Sequence, residues 1–517
     1  MDALISDDAA REALIARKLA EASDSAVEEL SALHRELKRR QYANDPILWA
    51  RERLGDVLWS GQARILEAIQ KHRRVAVMSC HEIGKSYIAA LAVGWWLDVN
   101  PPGDAFAVTS APSGAQVKAI LWREIGRVHA RGNLNGRTNQ TEWYMRVPAG
   151  NEELVAFGRK PDEYDPTAFQ GIHARRVIYI FDEANGIRGR LHDAADSLIA
   201  NDQGKALLIS NPDDPEGEFY EACKPGSGWH VISISAFDSP NFTGEVLPPR
   251  ILENLIGKVY VEEKRRKWAP NWKWTEDGKS CVPPPDAKPE DTNPLWQSKI
   301  LGVFPSKVAG GGLIPVSWVK AAQLRELIPA NPVELGVDVG GGGDNTAVCL
   351  RRGSVYRIIR TDSDPNTMSQ CGKVIEDLRA HNATAVKLDK IGIGWGISER
   401  GRELNHPFIG INVGEGASED AVSEDHRFVN LKAELWWGVR CMFERGEVDI
   451  DADDDDLAAE LCSIRFERRS DGKIKISDKR RDASGKIIAS PNRAESLMLA
   501  YAPTINRIIR VREALWG

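Results

Sequence analysis

The chain of 517 residues is long enough for roughly two or three domains, each with a large core. Its 68 Lys and Arg against 75 Asp and Glu leave a net charge of −7, which excludes a histone-like coat of positive charge but not a local basic groove. The seven cysteines form no Cys-x-x-Cys pair or metal spacing, no apolar run nears the ~20 residues that cross a bilayer, and Asp2, Asp7 and Asp8 break any secretory layout, so a reduced, soluble, intracellular protein without membrane contact is expected.

Residues 1–44 are rich in Ala, Leu, Glu, Lys and Arg, with apolar residues at helical spacing (Leu14, Ile15, Leu19, then Val27, Leu30, Leu33, Leu37). They predict a helical arm packed on the next domain. Residues 45–245 alternate apolar strands with helical stretches. The strands are predicted at Val75–Met78, Phe106–Thr109, Val177–Phe181, Ala206–Ile209 and Val231–Ser235, implying α/β architecture with a mainly parallel sheet. From 246 to 323 the pattern loosens around Pro248-Pro249, Pro283-Pro284-Pro285 and the basic-aromatic run Lys264–Trp274, and predicts a linker or subdomain. A second α/β pattern occupies 324–517. Its acidic run Asp451–Asp456 reads as a solvated turn or helix start, and Arg465–Asp482 as a basic hairpin turning at Asp471-Gly472.

Within the first pattern, Val75–Ser86 reads as a buried strand, a tight loop and a helix opening at Gly84-Lys85-Ser86. Unpaired N–H groups and a partial positive charge at a helix start favour phosphate. Lys85 would reach the β/γ-phosphates and Ser86 would join a Mg²⁺ shell. The P-loop pattern asks for glycine where this chain has Ser79. Further on, the Val177–Phe181 strand ends in Asp182-Glu183, suited to hold Mg²⁺ and to polarise an attacking water; the next strand ends in Ser210-Asn211-Pro, suited to sense the γ-phosphate. Gln62 is placed to read an adenine edge, with Trp59 packing beside it. Singly, such motifs also occur as helix caps and turns. Their order and strand context point jointly to ATP hydrolysis.

The second pattern carries carboxylates. Asp338 reads as a carboxylate at a strand centre beside a loose turn of four glycines and Asp344, Asp389 ends another strand before Gly392 and Gly394, and Glu495 stands in the first turn of a helix that begins near Asn492. Acids on strand, strand and helix form the skeleton of a two-metal nuclease, in which Mg²⁺ or Mn²⁺ ions about 3.5–4 Å apart activate water and stabilise the leaving oxygen of a phosphodiester.

Phe106–Lys118, Phe169–Ala174 before the Asp-Glu strand, Ser210-Asn211-Pro212 and Trp296–Pro305 resemble the corresponding segments of tailed-bacteriophage terminase large subunits. The resemblance implies an ASCE-type P-loop ATPase domain followed by a ribonuclease-H-like nuclease domain. It implies a DNA-packaging motor that moves double-stranded DNA into a procapsid and cuts the concatemer. It further implies ATP and Mg²⁺ as cofactors, with Mn²⁺ also serving the nuclease, portal protein and small terminase subunit as partners, a pentameric ring, and the host cell cytoplasm as location. His81 matches the place where many members carry an arginine; Arg123 and Arg127 are alternative sources of that charge. The family's last acidic motif reads here as Asn492 and Glu495, which leaves Asn492 to orient a ligand or cap the helix. A cellular repair or restriction ATPase-nuclease and a non-catalytic DNA-binding scaffold with a degenerate P-loop are the competing expectations.

Overall fold

The computed structural model describes residues 24–148, 150–159, 172, 174–187, 189–285, 292–305, 312–340, 344–418, 427–477, 480–481 and 487–503. They fall into two compact units. The first holds the described residues up to 264 with 271–284 and 297–304; the second holds 265–270, the described part of 285–296, and those from 305 onward. The stretch 246–323, expected to be a linker or subdomain, contributes residues to both units. Within it Trp274 stacks on Phe242 at 6.2 Å and Trp268 is fully buried.

In the first unit, strands β1 (Arg74–Ser79), β2 (Ala105–Ser110), β3 (Arg137–Thr138), β4 (Glu142–Arg146), β5 (Glu152–Gly158), β6 (Arg176–Asp182), β7 (Lys205–Ser210) and β8 (His230–Ile234) form one sheet in the order β3-β4-β5-β2-β6-β7-β1-β8. From β5 to β8 in that order every pair is parallel; β4 and β3 add antiparallel at one edge. The five predicted strands are β1, β2, β6, β7 and β8. The inner four, β1, β2, β6 and β7, are apolar on both faces, as strands covered by helices on each side must be, whereas β8 at the edge exposes His230 and Ser233; Tyr179, Phe181, Ala206 and Leu208 join a common core. The helix Lys85–Val99 is apolar around its whole circumference and lies buried from Ile88 to Leu97. Residues 24–44 form the expected helix, whose Tyr42 carbonyl accepts from Trp95 Nε1 at 2.8 Å; residues 1–23 lie outside the described set. A two-stranded ribbon, β9 (Lys273–Trp274) with β10 (Cys281–Val282), completes this unit.

The second unit is built on β11 (Val333–Asp338), β12 (Thr346–Arg352), β13 (Val355–Asp362), β14 (Ala385–Asp389) and β15 (Phe408–Ile411), ordered β13-β12-β11-β14-β15. The first three strands run antiparallel to one another, and β14 and β15 continue parallel from β11. Gly336 fixes how the last described helix, Asn492–Tyr501, meets this sheet: a Cβ there would stand 2.0 Å from the Ser496 carbonyl and 2.3 Å from the Ala500 nitrogen. Backbone therefore packs on backbone, and the helix start is drawn toward the end of β11. Beneath it, the buried Lys387 ammonium donates to Glu334 Oε2 at 2.6 Å and to the Ala500 carbonyl at 3.3 Å, an internal ion pair that ties β14 to β11 and the helix end.

The basic stretch forms the expected hairpin, β17 (Arg465–Arg468) against β18 (Lys473–Ser477) with Gly472 at φ 79°, and β16 (Arg427–Phe428) adds parallel to β18. The acidic run opens a helix as expected: Asp454 caps Asp455–Ser463 by accepting from the Leu457 nitrogen at 2.9 Å. Across the described residues no helix is long and apolar enough to cross a membrane, and all seven cysteines are free thiols.

Candidate functional sites

In the first unit the β1–loop–helix segment adopts the geometry that its sequence suggests. Gly84, at φ 81° and ψ 37°, occupies the left-handed region immediately before the helix Lys85–Val99, where a glycine is least strained. A side chain at Gly84 would also strike Gln62, whose Nε2 lies 2.6 Å from the ideal Cβ position. The Gln62 amide is buried and donates to the Ile83 carbonyl at 3.2 Å, so Gln62 braces the loop from the preceding helix Ser60–Lys71. Trp59 does not flank the loop as an open stacking face. Its ring is buried over its own helix start, where a Cβ at Gly61 would meet it at 2.1 Å, because this large apolar side chain gains more from the core than from the rim.

Ser79 is the last residue of β1 and pairs with Ile234 of β8 in extended conformation, outside the set of positive-φ residues. Glycine is therefore not required by the backbone at this position. The loop is held from a third side by residues 297–304: the His81 nitrogen donates to the Lys299 carbonyl at 3.0 Å, and a Cβ on Gly302 would stand 2.3 Å from the Ile234 carbonyl and 3.0 Å from the Cys80 nitrogen.

The strand ends meet at this loop. Because β7 lies between β6 and β1, the Asn211 side chain just beyond it reaches the end of β1 and the loop lysine. Its Nδ2 donates to the Ser79 carbonyl at 2.7 Å, and its Oδ1 accepts from Lys85 Nζ at 3.2 Å; the same ammonium reaches the Cys80 carbonyl at 3.3 Å. Ser86 Oγ donates to Asp182 Oδ2 at 2.7 Å, and Ser210 Oγ donates to Glu183 Oε2 at 3.2 Å. Glu183 itself sits at φ 54°, an uncommon conformation for a non-glycine residue and one that turns its side chain out of the strand direction. Burial, and next the charge of Glu183, push the Asp182 carboxyl up to about 6. Arg123 and Arg127 instead lie on an exposed helix face beside Glu124, Arg127 Nη1 at 2.6 Å from it.

In the second unit, Asp338 and Asp389 are the last residues of the neighbouring parallel strands β11 and β14, each following the register pair Val337–Leu388. Glu495, in the first turn of the helix that packs on Gly336, is buried beside them, and Lys432 Nζ donates to its Oε1 at 3.1 Å. Burial first, then the charges of Glu495, Asp389 and Asp344, hold the Asp338 carboxyl well above the usual carboxylate range, with Lys432 pulling the other way. Asp389 Oδ1 also accepts from the Ile391 nitrogen at 2.9 Å. Asn492 does not cap its helix. Pro491 holds the cap position, and Asn492 Nδ2 donates instead to Asp344 Oδ1 at 3.2 Å.

No protein-family model matches the chain. Among curated proteins, the probable terminase large subunit of Enterobacteria phage P7 is 24% identical over 127 residues, which span 22% of this chain and 23% of that protein. The chain is similar to a terminase large subunit. The match thus spans about a quarter of the length of the curated relative. Among solved structures, the large terminase of a thermophilic bacteriophage is 12% identical, with 82% of this chain and 96% of that one covered and a TM-score of 0.38. The nuclease domain of the large terminase subunit of bacterial virus Sf6 is 19% identical, covering 38% of this chain and all of that one at a TM-score of 0.32. The large terminase nuclease of thermophilic phage G20c with bound magnesium is 16% identical over 38% of this chain and 98% of its own, at a TM-score of 0.28.

Of the terminase-like site residues expected from sequence, Gln62, Ser79, His81, Gly84, Lys85, Ser86, Asp182, Glu183, Ser210 and Asn211 gather at the first-unit loop, and Trp59 does not open onto it. The resemblance segment Phe169–Ala174 falls largely outside the described residues. The first-unit donor set suits Mg²⁺ and a nucleotide: a hydroxyl and a carboxylate already 2.7 Å apart, beside an ammonium held on neutral oxygens. Asp338, Asp389 and Glu495 likewise present only hard oxygen donors. Among the described residues, however, no three His, Cys, Asp or Glu side chains stand close enough to ligate one ion, and the Lys432 ammonium offsets the negative charge at Glu495. Lys432 is not marked by any sequence motif. It lies on the helix Leu431–Arg445, and only packing brings it to the carboxylates.

Proposed function

We propose that the chain is a viral DNA-packaging motor subunit, in which ATP hydrolysis in the first unit drives double-stranded DNA translocation and a metal-dependent endonuclease in the second cuts the concatemer. The observation that carries the reading is the convergence of Lys85, Ser86, Asp182, Glu183, Ser210 and Asn211 at three adjacent strand ends. A phosphate-binding loop alone is common; a loop whose lysine is positioned by the neighbouring strand and whose serine already shares a hydrogen bond with a strand-end aspartate is built for nucleotide chemistry.

In this reading Lys85 exchanges the Asn211 and Cys80 oxygens for phosphate oxygens, and Ser86 and Asp182 hold Mg²⁺, which when bound neutralises phosphate charge. Glu183 takes the proton of the attacking water, and Ser210, hydrogen-bonded to Glu183, relays γ-phosphate occupancy to it. In the second unit Asp338, Asp389 and Glu495 offer the oxygen donors that would have to draw together around Mg²⁺ or Mn²⁺, and such an ion, when bound, would supply Lewis-acid stabilisation of phosphodiester cleavage. The sheet of the first unit is read as an ASCE-type ATPase and that of the second as ribonuclease-H-like. The partners in this scheme are double-stranded DNA, a portal protein, a small terminase subunit and four further copies of the chain in a ring, in the host cell cytoplasm.

The deciding experiment measures DNA-stimulated ATP hydrolysis and plasmid cleavage side by side for the wild type, Lys85→Ala and Asp338→Ala. Loss of hydrolysis alone in the first variant and of cleavage alone in the second supports the reading. A scaffold without turnover would show neither activity in the wild type.

A further inference from the structure

The residues just past Asp389 form an exposed apolar knuckle. Ile391 is 54% exposed, Ile393 42% and Trp395 56%, although isolated large apolar side chains are otherwise spread thinly over the described surface. Single exposed apolar residues need no explanation, but three within five positions do. Their presentation is fixed by the intervening glycines. Gly392 adopts φ 72° and ψ −129°, a conformation closed to other residues, and a Cβ at Gly394 would lie 2.1 Å from the Asp389 carbonyl oxygen. The knuckle is thereby locked onto the strand end whose carboxylate faces the acidic centre, and the Ile391 nitrogen donates to that carboxylate. The opposite face of the helix Ile393–Glu403 is spent on the core, with Ile397 packed among Leu388 and Phe408. Lys390 is also exposed, anchored by its own nitrogen on the Ile411 carbonyl at 2.7 Å.

We propose that this knuckle is a base-contacting platform of the nuclease centre: Trp395 stacks on a splayed nucleobase beside the scissile phosphate, Ile391 and Ile393 flank it, and Lys390 takes a backbone phosphate. The proposal rests on the nuclease reading above. An indole and two branched apolar side chains beside a lysine match what a nucleotide offers, an aromatic face and an anion within one residue's reach. Continuity with Asp389 sets that occupant beside the acidic cluster of Asp338, Asp389 and Glu495 rather than elsewhere on the surface. Trp395 acts on substrate position and not on the reacting atoms, so its loss is expected in KM and not in kcat.

The test uses the full chain with Mn²⁺ and a labelled duplex, and monitors cleavage competed by two single strands of equal length, one oligothymidylate and one wholly abasic. For the wild type the base-bearing strand should compete about tenfold better than the abasic one, since stacking on one aromatic is worth ~1–3 kcal/mol. Trp395→Ala should raise KM by a similar factor and compete equally with both strands, and Trp395→Phe should restore the preference. Wild-type KM and unchanged discrimination in Trp395→Ala would overturn the proposal. So would a variant that cuts normally but sediments as a smaller species, which would assign the knuckle to a protein contact. If Asp338→Asn and Asp389→Asn also cut as wild type, the nuclease reading fails instead.

Discussion

The Ser86 hydroxyl donates to the Asp182 carboxylate across 2.7 Å, joining the first turn of the loop helix to the end of β6. That carboxyl is buried and titrates near 6, above an ordinary aspartate. In the window between the ordinary value and about 6, the folded chain holds a proton that the unfolded chain has released. Stability contributed at this site therefore falls as pH rises through the window. The destabilisation is therefore largest at neutral pH in the absence of a cation. Asp182→Asn keeps the shape and removes the titration, so its melting temperature should exceed the wild type's by a margin that widens from pH 4 to pH 7. Mg²⁺ with ATP should abolish the margin by stabilising only the wild type. A margin independent of pH in differential scanning would refute this account.

Lys85→Ala and Glu183→Gln separate binding from chemistry. The lysine variant loses the ammonium that Asn211 and Cys80 now hold, so nucleotide affinity and turnover should both fall. Glu183→Gln keeps its hydrogen bond from Ser210 but cannot accept a proton, so ATP should bind near normally while turnover drops about 10²–10⁴-fold. Both variants should still nick plasmid in Mn²⁺. Equilibrium binding of a fluorescent ATP analogue alongside phosphate release checks the pair.

Ser79→Gly examines the departure from the P-loop pattern. Since β1 pairs in extended form through Ser79, the substitution relieves no strain and merely loosens the strand end. Hydrolysis should stay within about twofold of wild type, with a melting temperature slightly lowered by the ~0.5–1 kcal/mol that a strand glycine costs.

These sites were legible in the sequence to unequal degrees. The parallel strands and the residues at their ends announced themselves because a strand buried on both faces must be continuously apolar, and Asp182, Ser210 and Asp389 each stand where such a run stops. At the β3 side of the sheet the signal weakens: Arg137–Thr138 is too short, Glu142–Arg146 mixes charge with aromatic residues, and Glu152–Gly158 opens on two glutamates that leave an apolar run of only Leu154–Phe157. The roles of Lys432 and of Gly302 were invisible for a different reason. Each acquires its role only from a partner far along the chain, Glu495 for one and the Ile234 and Cys80 backbone for the other, and no local pattern encodes such a meeting. Trp59 and Gln62 are both buried, and proximity in sequence does not say that Gln62 alone reaches the loop.

Asn492→Asp probes the acidic centre. It removes the donor from which Asp344 accepts and sets a fifth carboxylate against a group already crowded with negative charge. Without metal the variant should lose about 1–3 kcal/mol, the cost of an unmet buried hydrogen-bonding group, with repulsion added. Saturating Mn²⁺ should then raise its melting temperature by more than it raises that of the wild type, because an extra oxygen donor and relieved repulsion both favour the cation. Equal Mn²⁺-induced shifts in the two proteins would show that Asn492 stands outside the reach of the metal.

Gly302→Val tests whether the 297–304 segment sets the loop. Gly302 sits at φ 64°, where a β-branched residue is strained, and its new Cβ would press on the Ile234 carbonyl that accepts from the Cys80 nitrogen at 2.8 Å. Relief requires that the strand β8 end or the loop start move, and either displacement shifts Cys80, whose carbonyl holds Lys85. The strain itself costs ~1–3 kcal/mol. The distinctive consequence is selective: nucleotide affinity should weaken at least tenfold while the Mn²⁺-dependent nicking proposed for the second unit stays at the wild-type rate. Parallel loss of both activities would mean that the variant has unfolded as a whole, and Gly302→Ala, with the same backbone demand but a smaller side chain, should then recover nicking first.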